Sequence, residues 1–321
     1  MEVTYNVIKG SPSKQLIEHN VTSRLEPHQV YIETTHSGLC FTDEHYLGVD
    51  QALGHEGVGI IRQVGSGVRS VKVGDRNTTG WDQFCREVKN YGFSDTENGT
   101  FGSGAVWDEK CVYRIPDGYD SAHAAPLMCA GATVWTVLSK FGITARDRVA
   151  IMGIGGLGHL AIKLAAAMGC HVVVLSSSEN KRQEAMDYGA SEFHVFRSGE
   201  EPVDTIAPIK HLLLCGSGGV DYKSLLPLMD TQGAIYPLTV AFEPAPIPLL
   251  DLLFKGVNVQ GSLVASRDTM RSLLDFVARK NITPTIVTYP MSVKGIESAM
   301  EDLRGGKVRY RAVLCRETPQ P

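Results

Sequence analysis

The chain contains 321 residues, about twice the length of a typical single domain, so we expect two domains. Its 43% hydrophobic and 21% charged residues are typical of a globular protein, and its net charge of -4 comes without a long run of like charges, which argues against nucleic acid or an anionic membrane as a partner. No apolar stretch approaches the roughly 20 residues of a membrane span, and residues 1–20 show no signal peptide, so we expect a cytoplasmic protein that acts on a small molecule.

The first 120 residues predict a compact, mostly β unit of barrel or sandwich type. Short runs at Gln29–Thr34, Val58–Val64 and Lys110–Ile115 are separated by turn-forming residues at short intervals. The region is rich in glycine, valine and threonine, as is usual for strands joined by tight turns.

From about residue 122 the pattern changes to helices that alternate with apolar strands. Ala122–Phe141 is predicted as one helix, followed by a strand at Arg148–Gly153, a glycine-rich turn, a helix at His159–Gly169 and a strand at His171–Leu175. A strand, a helix and a second strand in this order form a βαβ unit. Continuous apolar strands indicate a parallel sheet that is covered on both faces.

Later apolar runs extend the parallel sheet before the chain returns to its earlier β character. These runs are Lys210–Cys215, Gly233–Val240 and Val257–Leu263. After them come a helix at about Asp268–Lys280 and β-like segments at Thr283–Pro290 and Val308–Cys315.

The glycine-rich turn has the properties of a dinucleotide-binding site. It contains Gly153, Gly155, Gly156, Leu157 and Gly158 between an apolar strand and a helix. Glycines permit a tight turn and a close approach of the backbone to a pyrophosphate, and the helix N-terminus supplies free N–H groups. We therefore predict a bound dinucleotide; the alternative is a tight helix–strand turn without a ligand.

The end of the second strand favours NADP(H) over NAD(H). An NAD site usually has an acidic residue there, which binds the ribose 2′-hydroxyl. This chain has Ser176, Ser177 and Ser178 instead, followed by Lys181 and Arg182. Hydroxyl groups and positive charge favour the 2′-phosphate of NADP(H), which a carboxylate would repel. Glu179 is the one contrary feature, and the alternative for Lys181 is a place on a solvated helix face.

Four potential metal ligands are spread over the first 130 residues. Cys40 and His55 provide the sulfur and nitrogen donors that zinc prefers. Glu56 can be a third ligand or a close neighbour, and Cys129 lies where the β pattern gives way to the nucleotide-binding pattern. Three protein ligands with one open position is the arrangement of a catalytic zinc site. Each residue alone is more often part of the core, and the seven dispersed cysteines favour a reducing compartment.

Together these features resemble the zinc-dependent medium-chain alcohol dehydrogenases, in particular the cinnamyl-alcohol-dehydrogenase-like branch. The matching segments span essentially the whole chain: GLCFTDEH, LGHEGVGII, VGSGVRSVKVGDR, PLMCAGATVW, GIGGLGHLAIKLAAAMG, SSSENKR and KVRYRAVL. The resemblance implies an α/β fold with a GroES-like β-barrel catalytic domain (1–127 and 268–321) and an inserted Rossmann domain with a doubly wound parallel sheet (128–267). It is also compatible with a homodimer.

The resemblance assigns roles around a catalytic zinc. Cys40, His55 and Cys129 match the family's zinc ligands. Glu56 matches an acid that lies beside the metal and can ligate it when substrate is absent. Asp43 matches a carboxylate that orients a ligand, most plausibly His55.

The resemblance also assigns residues that contact substrate and cofactor. Thr42 matches the hydroxyl that contacts the substrate oxygen, and His45 matches the far end of the proton relay. Ser177, Ser178 and Lys181 match residues that hold the 2′-phosphate in members that prefer NADP(H). In this scheme zinc acts as a Lewis acid while hydride passes between the alcohol carbon and the nicotinamide.

The chain departs from the family at two places. Many members carry a structural zinc on four closely spaced cysteines after the segment that matches VGDR, whereas here only Cys85 has a counterpart, so we predict no structural zinc. Either this lobe is shortened, or a segment is absent between Arg76 and Asn77. Phe41 stands where relatives often have a small or polar residue.

The expected activity is reduction of an aldehyde or ketone by NADPH, with alcohol oxidation in reverse. Trp81, Phe101 and Trp135 suggest an apolar or aromatic substrate, although such residues are equally typical of a core. One alternative is a medium-chain reductase that delivers hydride to an activated C=C or C=N bond; Thr42 and His45 argue against it. The other is an NADPH-binding protein without turnover, against which the retained zinc ligands argue.

Overall fold

The computed structural model describes residues 1–80, 85, 88–197, 206–216, 219–240 and 243–316. The chain divides into two compact units, the first formed by Met1–Ala132 with Val264–Pro321 and the second by Thr133–Leu263. The sequence predicts these boundaries at 127/128 and 267/268. Each unit has its own sheet and its own apolar core.

The first unit consists mainly of strands, whereas strands and helices alternate along most of the second. The strands are β1 (Glu2–Lys9), β2 (Ile17–Arg24), β3 (Gln29–Leu39), β4 (Glu56–Val64), β5 (Arg76–Thr79), β6 (Gly104–Asp108), β7 (Val112–Arg114), β8 (Arg148–Met152), β9 (His171–Ser176), β10 (Glu192–Val195), β11 (Ile209–Leu214), β12 (Met229–Pro237), β13 (Asn258–Val259), β14 (Ile286–Pro290) and β15 (Arg311–Cys315). The α-helices are α1 (Phe41–His45), α2 (Ser121–Ala124), α3 (Ala130–Lys140), α4 (Gly158–Met168), α5 (Arg182–Asp187), α6 (Tyr222–Leu225), α7 (Leu249–Lys255), α8 (Arg267–Lys280) and α9 (Val293–Arg304). Short 3₁₀ helices cover Glu109–Cys111, Ala125–Met128, Glu179–Lys181 and Leu226–Leu228.

The first unit is built around a mostly antiparallel sheet in the order β14-β15-β3-β4-β5-β7, with β6 paired to β3 and a separate hairpin of β1 and β2. Side chains alternate between buried and half-buried along the first part of β3, so that Val30 and Ile32 face a core with Ile61 and Trp107. The predicted β character of this region is confirmed. The sequence reasoning did not identify β1, β2 or α9; α9 connects the parallel pair β14 and β15.

The second unit is a parallel sheet in the order β10-β9-β8-β11-β12-β13. Numbered from β8, this is the strand order 3-2-1-4-5-6 of dinucleotide-binding folds, in which the two halves of the sheet meet between the first and fourth strands, here β8 and β11. The central strands are apolar throughout, and Val149, Val173 and Leu212 are fully buried. The predicted doubly wound parallel sheet is therefore confirmed.

Two predicted elements are wrong in extent. The single helix predicted at 122–141 is broken into α2, a 3₁₀ turn and α3, because Pro126 removes an N–H that a continuous helix would use and Cys129 leaves the helical conformation at φ -120° and ψ -74°. The strand predicted at 257–263 is reduced to β13, which has only β12 as a neighbour. In the described part of the chain, no helix combines the length and the apolar character that a membrane span requires.

Candidate functional site

The ends of two neighbouring strands bring Cys40 and His55 together. β3 and β4 are antiparallel, with Gly38 opposite Glu56, so the residue that follows β3 lies beside the residue that precedes β4. Gly38 is needed at this register because a Cβ atom there would overlap the Glu56 carboxylate. Cys129 reaches the same place from the end of the 3₁₀ turn, so its position depends on the break in the predicted helix.

The four predicted metal ligands form one compact group. One ligand atom each from Cys40, His55, Glu56 and Cys129 lies within 4.8 Å of the others, and no second group of this kind occurs among the residues that the structure describes. Cys40 Sγ is 3.4 Å from His55 Nε2, which is 3.7 Å from Glu56 Oε1. Cys40, His55 and Glu56 are buried, and Cys129 is half-buried.

Asp43 holds the His55 ring in one tautomer. His55 Nδ1 donates to Asp43 Oδ1 at 2.9 Å, which directs Nε2 toward the thiols. Asp43 Oδ2 accepts the N–H of Cys40 at 3.0 Å, while Cys40 Sγ accepts the N–H of Thr42 at 3.3 Å, a reciprocal cap at the start of α1. A carboxylate behind a histidine ligand is the usual support of a metal site.

Contacts within the group shift the pKa values of both thiols and of the imidazole. A hydrogen bond from Cys129 lowers the pKa of Cys40 well below its usual value, with help from the charge of His55. The same hydrogen bond and burial raise the pKa of Cys129. Burial would lower the pKa of His55, but Asp43 and Cys40 raise it well above its usual value.

Sequence reasoning missed two residues of this site. Arg311 comes from β15, where Ala312 pairs with Leu39, and its guanidinium forms a buried ion pair with Glu56 Oε1. A single arginine at the start of an apolar strand is the signal that could have revealed it. Tyr91 donates its hydroxyl hydrogen to Asp43 Oδ1 at 2.8 Å. Nothing in the local sequence around Tyr91 indicates this contact.

The donor set fits a zinc ion. Two sulfur atoms and an imidazole nitrogen are the ligands that zinc prefers. Burial raises the pKa of Glu56 to about 7, against the opposing charge of Arg311. Glu56 Oε2 is buried and has no hydrogen-bond partner in the described part of the chain, as expected for an oxygen beside a cation site.

The other predicted residues near this group lie at different depths. In α1, Thr42 is half-buried and His45 is exposed, while the side chain of Phe41 is 48% exposed. Phe101, proposed for a substrate pocket, is fully buried in the core with Leu53. Trp135 is almost fully buried in α3. Trp81 lies outside the described residues, and Cys85 is exposed.

The glycine-rich turn lies at the point where the two halves of the parallel sheet meet. Gly153 has φ +93°, and a Cβ atom there would lie 2.7 Å from Gly216 Cα, just after β11. A Cβ atom on Gly158 would overlap the carbonyl oxygen of Gly153, whereas one on Gly155 would meet no atom within 4 Å. Gly156 and Leu157 are half-buried and lead into α4, which begins without a side-chain cap.

Two positive side chains have contacts at the end of β9 and at the glycine turn. Lys181 Nζ donates to the carbonyl oxygen of Ile154 at 2.7 Å, which brings the amine to the glycine turn. Arg197, which sequence reasoning missed, donates through Nε to the carbonyl oxygen of Ser177 at 3.1 Å. These cations suit a 2′-phosphate.

Glu179, the acidic residue that disfavours NADP(H), forms an ion pair, and the three serines differ in their exposure. Glu179 is engaged by both ends of the Arg182 guanidinium, whose hydrogen bonds lower the pKa of that carboxyl. Ser176 and Ser178 are half-buried and Ser177 is exposed, and Ser178 N lies 3.5 Å from Ser176 Oγ. The carboxylate thus carries a paired charge, so it opposes an anion less than an isolated acid would.

Comparison with known proteins points in one direction for both units. The sequence profile of a family described as "Alcohol dehydrogenase GroES-like domain" matches residues 26–117, and that of the "Zinc-binding dehydrogenase" family matches residues 156–279. The chain is similar to an NADP-dependent alcohol dehydrogenase C of Mycolicibacterium smegmatis, with 32% identity over 335 aligned positions that cover 95% of each chain.

Solved structures agree with these sequence matches. The fold is similar to that of a cinnamyl alcohol dehydrogenase from Sorghum bicolor, with a TM-score of 0.90, 26% identity and coverage of 99% of this chain and 100% of the other. It is also similar to the CAD of Helicobacter pylori in complex with NADP(H), with a TM-score of 0.86, 26% identity and coverage of 98% and 99%.

Proposed function

The chain belongs to the zinc-dependent medium-chain alcohol dehydrogenase family and is an oxidoreductase acting on alcohols and aldehydes, and we propose that it transfers hydride between NADPH and an aldehyde or ketone at a catalytic zinc. The observation that carries the proposal is the convergence of Cys40, His55 and Cys129, with Glu56 beside them. When bound, zinc supplies a Lewis acid for the substrate oxygen and NADP(H) supplies or accepts the hydride.

The metal ligands and their supports have separate proposed roles. Cys40, His55 and Cys129 hold the metal, and Asp43 keeps the His55 Nε2 lone pair directed at it. Glu56, paired with Arg311, serves as a neighbouring carboxylate that can approach the metal when substrate is absent. With these three ligands, a bound zinc ion would keep one coordination position for substrate, as in other catalytic zinc sites.

Thr42 and His45 are the proposed proton relay. They are three residues apart in α1, so they share one side of this short helix. Thr42 is half-buried next to Cys40, and we assign its hydroxyl to the substrate oxygen. His45 is exposed, so its imidazole is accessible to solvent.

We propose NADP(H) rather than NAD(H) as the cofactor. The pyrophosphate would bind the turn formed by Gly153, Gly155, Gly156, Leu157 and Gly158, where α4 supplies uncapped N–H groups. Ser176, Ser177, Ser178 and Lys181 would surround the 2′-phosphate. The supporting observations are the amine of Lys181 at the turn and the pairing of Glu179, the acidic residue that follows the serines, with Arg182.

The substrate class proposed is an apolar or aromatic aldehyde and the corresponding alcohol. The support comes from relatives named as cinnamyl alcohol dehydrogenases, to which the chain is similar over nearly its whole length. The alternatives of a reductase for C=C or C=N bonds and of an NADPH-binding protein without turnover are not favoured by these relatives.

The decisive experiment measures zinc per chain by elemental analysis, together with NADPH oxidation by cinnamaldehyde before and after chelation. We expect about one zinc ion per chain and turnover that chelation abolishes and zinc restores. Zinc-free protein that still oxidises NADPH would contradict the mechanism. About two zinc ions per chain would contradict the prediction that the structural site is absent.

A homodimer through the second unit is proposed as the oligomeric state. Four side chains of α7 are between 62% and 80% exposed: Leu249, Leu250, Leu253 and Phe254. β13 lies at the edge of the sheet, and no strand pairs with its outer side in the described ranges. An apolar helix beside an open sheet edge suits a second copy of the same surface. Light scattering should give twice the mass of one chain. The double substitution Leu253→Glu and Phe254→Glu should reduce the measured mass to that of a single chain.

The proposed location is a reducing compartment, the cytoplasm. All seven cysteines are free, including the two proposed zinc ligands. A zinc-binding thiol pair must remain reduced to ligate the metal. Cell fractionation that finds the protein in a disulfide-forming compartment would contradict this proposal.

A further inference from the structure

The Tyr91 hydroxyl is inserted into the hydrogen bonds that support the proposed metal site. It donates to Asp43 Oδ1 at 2.8 Å and accepts the N–H of Gly54 at 3.0 Å. Because a phenol has a single hydrogen, accepting from Gly54 leaves the donor role for Asp43. Asp43 Oδ1 thus accepts hydrogen bonds from the Tyr91 hydroxyl and from His55 Nδ1 at 2.9 Å. It also shares the N–H of Gly54 with the Tyr91 oxygen, at 3.1 Å from Gly54 N.

The Tyr91 ring also packs against the histidine that Asp43 orients. The ring centroids of Tyr91 and His55 are 4.7 Å apart with an angle of 33° between the planes. On its other side Tyr91 meets Tyr46 edge-on at 5.6 Å and 86°. The His55 imidazole is therefore held by its hydrogen bond to Asp43 and by the Tyr91 ring. Tyr91 contributes to both, because its hydroxyl also binds Asp43.

Tyr91 is held in place by a tight turn of its own segment. The carbonyl oxygen of Asn90 accepts the N–H groups of Phe93, Ser94 and Asp95 at 3.0–3.1 Å. The Asp95 carboxylate in turn accepts the amide hydrogens of Asn98 at 2.9 and 3.1 Å. This segment lies 48 positions from Asp43 in sequence, so its turn fixes a contact that local structure around Asp43 does not supply.

We propose that Tyr91 is a positioning residue for the metal site, holding the Asp43 carboxylate and through it the His55 imidazole in ligating geometry. The inference rests on the proposed zinc site. Partners behind a metal ligand typically change metal affinity by about 10–100-fold when they are removed. Tyr91 acts one step further back, so the lower end of that range is expected.

The test compares Tyr91→Phe with Tyr46→Phe. The first removes the hydroxyl but keeps the ring on His55, and the second removes a hydroxyl from the ring that packs against Tyr91. The readout is the rate at which zinc passes from the purified, zinc-loaded chain to an excess of a chromogenic chelator. Tyr91→Phe should release zinc about tenfold faster, with less than about a twofold change for Tyr46→Phe. Equal rates for Tyr91→Phe and the unaltered chain, or equal acceleration in both variants, would overturn the proposal.

A double-mutant cycle separates positioning from general loosening. If Tyr91 acts through Asp43, adding Tyr91→Phe to Asp43→Asn should leave the zinc release rate of the single Asp43→Asn variant unchanged within about twofold. A full additional tenfold acceleration would overturn the proposed route. A chain that holds no zinc before any substitution would refute the proposed function itself, which keeps the two failures distinct.

Hydrogen exchange of the unaltered chain provides a measurement that does not depend on a variant folding. If Tyr91 couples its segment to the ligands, zinc must slow amide exchange in residues 88–99, since coupling between two sites is reciprocal. Exchange in this segment that is the same with and without zinc would overturn the proposal even if Tyr91→Phe could not be purified.

Discussion

The two candidate sites of this chain are built from different materials. The metal group consists of side chains from distant parts of the sequence, buried and supported by hydrogen bonds through Asp43, Tyr91 and Arg311. The nucleotide turn consists mainly of backbone, and its key positions are consecutive from Gly153 to Gly158. One site depends on which side chains converge; the other depends on which side chains are missing.

This difference decides how each site responds to its ligand. Burying charged and polar groups is costly unless each is paired, so the metal site needs supporting contacts such as those of Asp43 with His55 and of Arg311 with Glu56. The glycine turn needs only open space at Gly155 and the N-terminus of α4, which no side chain caps. We therefore expect the metal site to be sensitive to proton balance and second-layer contacts, and the turn to be sensitive to steric bulk.

Removing one metal ligand should have the largest effect. In Cys129→Ser a hydroxyl that stays protonated at neutral pH replaces a thiolate, so the chain should lose its zinc and kcat/KM should fall about 10³-fold, equivalent to the several kcal/mol that a Lewis acid contributes. Elemental analysis and NADPH oxidation measure both.

Two comparisons make the Cys129→Ser result specific. Cys111→Ser, at a half-buried cysteine outside the metal group, should keep both zinc and activity. NADPH affinity should be preserved in Cys129→Ser, because the glycine turn does not use that thiol. If Cys129→Ser lost both zinc and NADPH binding, the metal group and the glycine turn would not be independent sites.

Zinc affinity should depend steeply on pH. The pKa values of Cys129 and His55 are raised, and each of these groups must give up a proton to ligate a metal, so a lower pH opposes zinc binding. Binding should thus release protons, and zinc affinity should be lower at about pH 7 than at about pH 8, by up to about 100-fold if two protons are displaced. Competition with a chelator of known pH dependence measures this.

The nucleotide turn should not share this pH dependence. A 2′-phosphate is almost fully ionised above about pH 7, so NADPH affinity should change less than about threefold over the same interval. If zinc affinity were as flat as NADPH affinity, the thiols and the imidazole would not be its ligands.

The same difference explains what the sequence could predict. The turn from Gly153 to Gly158 and the parallel sheet follow from consecutive patterns, so both were accessible to local reasoning. The metal ligands could be suggested from their residue types, but their assignment needed the family resemblance, because no spacing rule connects Cys40 to Cys129. Tyr91 was invisible because its partner lies 48 residues away.

The remaining errors have the same cause. The predicted helix at 122–141 failed because the chain breaks at Cys129, which joins a cluster formed by β3 and β4. The pocket role suggested for Phe101 gives way to its fully buried place beside Leu53. In each case a contact between segments far apart in the sequence determines the local structure, and the pattern of a single sequence does not reveal that contact.

Adding a methyl group to the turn should weaken cofactor binding without unfolding the chain. In Gly155→Ala the new Cβ atom meets no protein atom within 4 Å, so the melting temperature should stay within about 2 °C of the unaltered chain's. NADPH affinity should fall about 10–100-fold if the methyl group costs one charge-assisted hydrogen bond to the pyrophosphate. Fluorescence titration measures the affinity.

A glycine far from the turn provides the matched control. The nearest atoms to a Cβ on Gly48 are those of the Lys14 side chain at 3.8 Å, an ordinary contact. Gly48→Ala should therefore keep both stability and NADPH affinity. Unchanged NADPH affinity in Gly155→Ala would mean that the pyrophosphate does not approach this position.

The smallest effect should come from a single charge beside the turn. Lys181→Ala removes the amine that reaches the carbonyl oxygen of Ile154, and with it one hydrogen-bond donor for a 2′-phosphate. Because Lys181 is only half-buried, solvent weakens its contribution to the lower end of the range for charged hydrogen bonds, about 1.5 kcal/mol or about tenfold in NADPH affinity. NADH affinity should not change, since that cofactor has no 2′-phosphate.

Lys210, whose amine contacts the Thr231 carbonyl oxygen in β12, provides the control, and Lys210→Ala should change neither the NADPH nor the NADH affinity. Equal losses for NADPH and NADH in Lys181→Ala would assign the amine to the pyrophosphate and leave cofactor choice to the serines and Arg197.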